Sequence, residues 1–210
     1  MEDGRREKKE LMVIFMATVL QKDDKIALLK LAREAISNAL DEKPLPMPPR
    51  KEIFLEKMGA FVTLSIDGAL RGCIGSLEAV KPLGECVVYN AVNAAFDDPR
   101  FPQLSKEEFD WIEIEISVLT TPEKLEFKGE DDLLRKLVPD KHGVILQWGN
   151  RRSTFLPQVW EQLPDKRDFL GELSMKAGMQ LGAWKDARVF TYEAIVFNEA
   201  EFLPQLKKRK

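Results

Sequence analysis

Apolar positions follow two periods along this chain. Between Lys25 and Leu40, Leu28, Leu29, Ala32, Ala35, Ile36 and Leu40 recur every three or four residues, the stripe of an amphipathic helix. Asp23 and Asp24 stand just before it as caps. DEKPLPMPPR, from Asp41, carries four prolines, which remove donors and fix the chain in extended geometry, so the helix stops there. From Phe61 the period drops to two: Val62, Leu64 and Ile66 share one side, Asp67-Gly68 follows, and Ala69 to Ile74 returns. Asp-Gly between alternating segments predicts a tight hairpin. A two-residue turn sets Ile66 against Ala69, Leu64 against Arg71 and Val62 against Cys73, so Arg71 and Cys73 are expected on the aliphatic face. Two residues apart along one strand, they lie about 7 Å from each other. Gly72 and Gly75 clear space around them.

Further along, Pro82 to Ala95 reads as a helix with Leu83, Val87, Ala91 and Ala94 inward. The loop DDPRFPQ ends it, and Ser105 with Glu108 forms a capping-box pattern for one or two helical turns. WIEIEISVL, Trp111 to Leu119, alternates with Ile112, Ile114, Ile116 and Val118 facing the core. Glu113, Glu115 and Ser117 then make either a solvated sheet face or a carboxylate wall. Asp131 to Leu137 reads as a short helix, and Val144 to Trp148 turns at Gly149-Asn150 into a hairpin ending near Phe155. Gln158 to Leu163 and Lys166 to Gly178 look helical, and Arg188 to Phe197 reads as a final strand. Hairpin-joined strands without regular βαβ alternation predict α+β: mixed sheets built from antiparallel hairpins with flanking helices.

The 210 residues suffice for one domain with a real core, or one built of two lobes. The expected division is an N-terminal extension over 1–24, the domain over 25–202, and a basic C-terminal tail over 203–210. Lys plus Arg (32) nearly balances Asp plus Glu (35), for a net charge of −3. Such a balance gives no electrostatic reason to bind nucleic acid or an anionic membrane. The two cysteines, Cys73 and Cys86, are read as free thiols in a reducing compartment. The apolar run Leu11 to Leu20 is too short to span a bilayer and precedes no convincing cleavage site, so a cytoplasmic location is expected. Oligomeric state is not legible.

Phosphate-loop, dinucleotide-fingerprint and nucleophile-elbow motifs are all missing from the sequence. One histidine and two isolated cysteines do not build the usual zinc site or an iron-sulfur cluster, so no cofactor is called for. An oxygen-only magnesium or manganese site would need only carboxylates, and no spacing demands one. Cys73 is the sharpest candidate for chemistry, because a thiol beside a fixed positive charge ionises more readily and Arg71 supplies that charge. The alternative is a small buried hydrophobe with Arg71 paired to an acid. Cys86, mid-helix, belongs to the core. His142 is the only imidazole and so either the group that titrates near neutrality or a turn residue. Arg100 suits an anionic group, with Asp97 or Asp98 as acid, base or partner, or it closes a loop by its own ion pair.

Taken as a set, LRGCIGS at Leu70, AFDDPRFPQLSKEEF at Ala95, IEISVLT at Ile114, KHGVIL at Lys141 and TFLPQVWEQLPDKRDFL at Thr154 resemble the AMMECR family. That family is named after the AMME chromosomal region candidate protein and includes protein A of the AmmeMemoRadiSam system. The resemblance spans about Ile26 to Glu199. It implies an α+β fold with a larger and a smaller lobe, no settled activity, and a cleft gathering Arg71, Cys73, Asp98, Arg100 and His142. Ser76 stands where many relatives carry threonine.

Two functions follow. In the first, Cys73 attacks an electrophilic centre, Arg71 stabilises the thiolate or an anionic substrate, His142 moves the proton, and Asp98 and Arg100 orient the substrate beside Gly72 and Gly75. In the second, the same cleft binds a small anionic ligand or a protein partner without catalysis. The system name implies Memo-like or radical-SAM proteins as such partners.

Overall fold

The computed structural model describes residues 20–206. Its helices are α1 (Lys22–Leu40), α2 (Glu52–Leu55), α3 (Leu83–Phe96), α4 (Gly129–Lys136), α5 (Lys166–Lys176) and α6 (Leu203–Leu206). Its strands are β1 (Gly59–Ile66), β2 (Ala69–Ser76), β3 (Ile112–Leu119), β4 (Glu123–Lys124), β5 (Gly143–Trp148), β6 (Arg151–Phe155), β7 (Arg188–Tyr192) and β8 (Ala194–Asn198). The fold is α+β. Residues up to Leu119, joined by those from Ile195 on, make one compact unit, and Thr120–Ala194 make another. Among the described residues no helix is long and apolar enough to cross a membrane. Most of the Leu11 to Leu20 run, and residues 207–210 of the basic tail, lie outside the described residues; Leu20 itself is buried.

In the first unit a four-stranded sheet runs β2-β1-β3-β8. Helices α1 and α3 cover one face, where Leu28, Leu29 and Ile36 meet Val62, Leu64, Ile114 and Ile116 in one core. Each such side chain, fully withdrawn from water, stabilises the fold by about 1.5–3 kcal/mol before entropy is counted. The α1 stripe is as expected, but the helix begins three residues early. Asp24 does not cap from outside: it sits inside the first turn, buried, accepting the Gln21 N–H at 3.0 Å and pairing with Lys51.

The second unit carries a sheet of order β4-β7-β5-β6. Val144, Leu146 and Val189 pack there against Phe169, Leu170, Leu173 and Trp160, and the Trp160 ring stacks on Phe169.

Three expectations about elements are corrected. Arg188 to Phe197 is not one strand: β7 ends at Tyr192 in the second sheet and β8 begins at Ala194 in the first. No Gly or Pro marks the change in RVFTYEAIVF, so the sequence alone reads it as continuous. The switch is held at Glu193, whose N–H donates to Thr120 Oγ1 at 2.8 Å and whose carbonyl accepts the Thr120 N–H at 2.9 Å. Ser105 and Glu108 do exchange capping-box bonds, yet around hydrogen-bonded turns and not a helix. Gln158 to Leu163 is a 3₁₀ turn over Pro157–Glu161, because Pro157 opens the segment and the run is too short to propagate an α-helix.

Candidate functional site

Asp67 and Gly68 both take positive φ, 51° and 79°, the mirror-image turn whose twist matches a hairpin. Ile66 pairs with Ala69 and Ser65 with Leu70 as anticipated. The register then slips: Leu64 pairs with Gly72, Thr63 with Cys73 and Val62 with Ile74. Arg71 is the extra residue of a β-bulge, so Cys73 does not share the aliphatic face, which is the correction to the hairpin reading. The bulge has a steric cause. A Cβ on Gly72 would lie 2.1 Å from the carbonyl oxygen of Ala94 in α3, so only glycine fits beneath that helix. The extra residue brings Gly72 to that position and turns Cys73 to the opposite face.

Arg71 is buried at the bulge and fully engaged. Its Nε donates to Glu108 Oε1 at 2.8 Å, and its Nη2 to Glu108 Oε2 at 3.0 Å and to the Gln103 carbonyl at 3.3 Å. A planar fork on a carboxylate is the strong geometry for such a pair. Arg71 holds the Glu108 carboxyl down to about 2, assisted by the Ser105 N–H. Its charge is therefore spent on bracing β2 to the loop that leads into β3.

The cation beside the thiol is Arg100. β2 is an edge strand, so Cys73 presents its backbone groups outward, and the DDPR loop answers both. The Cys73 N–H donates to Asp98 Oδ2 at 2.8 Å, and Arg100 Nη2 donates to the Cys73 carbonyl at 3.3 Å. Asp98 also accepts from the Arg100 N–H at 3.1 Å, from its Nε at 2.9 Å and from its Nη2 at 2.6 Å. These bonds, Arg100 foremost and then the two backbone N–H groups, hold the Asp98 carboxyl well below the usual carboxylate range against the cost of burial. Asp98 has a side-chain exposure of 1% and Arg100 of 54%, so the end of the pair that meets solvent is the positive one. Asp98 raises Arg100 above its ordinary value against the cost of burial, and Cys73 adds to the rise. The Phe101 ring lies under both guanidinium groups, 5.4 Å from Arg100 and 6.0 Å from Arg71.

Cys73 is half-buried. Thr63, its cross-strand partner, donates its hydroxyl to Sγ at 3.4 Å, and Thr63 is in turn paired with Glu115 on β3. Cys73, Thr63 and Glu115 thus form one row across three strands on a single face. Phe61, Gly75 and Ser117 form the next row. There a Cβ on Gly75 would strike the Phe61 ring, so the glycine makes room for an aromatic. Ser117 is buried and Glu115 partly so, which departs from a plain solvated face. Thr63 was not anticipated from the sequence, because its place beside Cys73 follows from the bulge and no local pattern announces the bulge.

Cys86 is core, as its helical position indicated: 3% exposed, accepting the Asn90 amide at 3.2 Å, with burial pushing its thiol up. His142 belongs to the second unit. Its Nδ1 accepts the Val138 N–H at 3.2 Å and its carbonyl accepts Trp160 Nε1 at 2.7 Å. Among the described residues no three His, Cys, Asp or Glu side chains gather as a metal site.

Comparison with known proteins places this geometry. A family model described as AMMECR1 matches residues 29–197. Protein NEQ441 of Nanoarchaeum equitans is 39% identical over 177 residues, covering 82% of this chain and 98% of that protein. Protein MK0488 of Methanopyrus kandleri is 41% identical over 181 residues, covering 83% and 87%. Among solved structures, that of the uncharacterized protein PH0010 from Pyrococcus horikoshii superposes with a TM-score of 0.77 at 37% identity, over 81% of this chain and 89% of that one.

Proposed function

Given that the chain belongs to the AMMECR1 family, we propose that it acts through the thiol of Cys73, as a nucleophile toward an electrophilic centre of a small anionic ligand. The observation that carries this reading is the company of the sulfur: a hydroxyl donor at 3.4 Å and a half-exposed guanidinium. A cation and a donor beside sulfur are the surroundings in which a thiol becomes nucleophilic. Arg100 takes the role that sequence reasoning gave to Arg71. Arg71 is a positioning residue that fixes the bulge, and Asp98 orients Arg100 and anchors the Cys73 backbone. Gly72 and Gly75 set the approach of the strand. Glu115 is next in the row beyond Thr63, on the thiol side of the sheet. With Nδ1 accepting a backbone N–H, the neutral ring of His142 carries its proton on Nε2.

Alkylation with iodoacetamide tests the reading. The sulfur bonds to carbon, iodide leaves and the thiol proton passes to solvent. In native protein at pH 7, peptide mass spectrometry should find Cys73 labelled at least about tenfold faster than Cys86, and Arg100→Gln should slow Cys73 several-fold. Labelling of Cys73 no faster than Cys86, or unaffected by Arg100→Gln, overturns it.

A second reading, a non-catalytic binding module for an anionic ligand or a Memo-like or radical-SAM partner, is favoured by one detail. Arg100 Nη1 enters none of the bonds that hold the loop and remains for a ligand. Under that reading Cys73→Ser retains binding while Arg100→Ala loses it.

A further inference from the structure

Away from Cys73, the first unit contains a cavity of about 660 Å³. Helix α1 contributes Lys30, Arg33 and Glu34, the stretch entering β3 contributes Phe109, Asp110, Ile112 and Glu113, and Leu203 comes from the C-terminal segment. Its base is a built ion pair. Arg33 Nε donates to Glu199 Oε1 at 2.6 Å and its Nη2 to Glu199 Oε2 at 2.5 Å, while Nη2 also reaches the Ile112 carbonyl at 2.7 Å. Glu199 is buried and also accepts the Ile114 N–H at 3.0 Å. These two charges answer each other and are closed to a ligand.

The mouth differs. Glu34, Asp110 and Glu113 stand there with Lys30 as the one further cation lining the cavity. None of these four makes a hydrogen bond or ion pair among the described residues. The charge left over is negative. The lining residue Leu203 is 43% exposed, and Trp111, which stands between the lining residues Asp110 and Ile112 in the sequence, is 72% exposed. Exposed tryptophan is the residue type most enriched where partners bind. Apolar anchors ringed by unanswered carboxylates call for apolar side chains flanked by Lys or Arg. The same carboxylates repel an anionic lipid surface.

We propose that this groove docks a partner protein through a basic amphipathic helix, its apolar side chains entering between α1 and the Phe109–Glu113 stretch and its cations meeting Glu34, Asp110 and Glu113. The mode is helix-in-groove recognition with an electrostatic rim.

The probe is a fluorescein-labelled 18-residue peptide of leucine and lysine with leucines at helical spacing, titrated against the full chain by fluorescence anisotropy. The comparison peptide has the same composition reordered so that no apolar face forms. Expected is saturable binding of the first, at least about tenfold tighter than the second, and weakened about tenfold or more by Glu34→Lys with Glu113→Lys, by Leu203→Asp, and by Trp111→Ala. Charge reversal at exposed acids elsewhere, Glu85→Lys with Glu172→Lys, should leave affinity within about twofold of the parent, and circular dichroism should show each variant folded. Equal binding of the reordered peptide, equal effects of rim and distant reversals, or no binding at all overturns the proposal. So does binding that appears only after deletion of residues 1–19, which would make the chain's own leading segment the occupant.

Discussion

Replacing Asp98 with alanine removes the carboxylate on which the candidate site is hung. Asp98 accepts the Cys73 N–H and three donors of Arg100. Loss of the acceptor leaves the partly buried Cys73 N–H without its partner, a cost of up to about 1–3 kcal/mol. The ion pair adds only about 1 kcal/mol, because Arg100 is half in water and its share is screened. Asp98→Ala should therefore lose about 2–4 kcal/mol, and Asp98→Asn, which retains an acceptor, about half that. Urea unfolding followed by far-ultraviolet circular dichroism measures the loss, and hydrogen exchange at β2 locates it: the Cys73 amide should exchange much faster in the variant. The carboxyl is also held well below its ordinary range in the folded state. Its stabilisation is thus fully present above the unfolded value and is lost as pH falls through the folded one. Asp98→Ala should remove part of the acid sensitivity of the parent. A loss under about 1 kcal/mol with unchanged β2 exchange would refute the claim that this loop holds the edge strand.

Gly72→Ala forces a methyl to 2.1 Å from a helix carbonyl. Backbone on both sides prevents relief, so it should cost about 3 kcal/mol or more, or prevent folding, as read from the thermal midpoint. Glu108 is held down to about 2 chiefly because Arg71 donates to it; in Arg71→Met its carbon resonance should titrate clearly higher, toward the ordinary 4.5, with the Ser105 N–H still lowering it. The depressed value means that the Arg71–Glu108 contribution to stability is complete above about pH 4.5 and fades toward pH 2. Cys86→Ala should leave iodoacetamide labelling of Cys73 unchanged, since Cys86 sits on the core face of α3.

Much of the architecture was legible in residue order. Local rules decided it: the spacing of Leu28, Ala32, Ala35 and Ile36 for α1, the Asp67-Gly68 turn with its two positive φ angles, the alternation of β3, and the Ser105 and Glu108 exchange all depend on residues within a few positions of each other. The same short-range patterns identified Cys73, Asp98 and Arg100 as candidates. Which face Cys73 occupies, and which arginine accompanies it, depended on α3. The Ala94 carbonyl admits only Gly72, that demand inserts Arg71 as a bulge, and one residue of slip exchanges the two sides of a strand because its period is two. Arg71 then meets Glu108, 37 residues on, and Arg100 reaches back 27 residues to Cys73. The crossing of the final segment from one sheet to the other at Glu193 was equally hidden, for no Gly or Pro marks it. Periodicity reports what each residue prefers near its own position; the packing of distant elements decides what each preference finally faces.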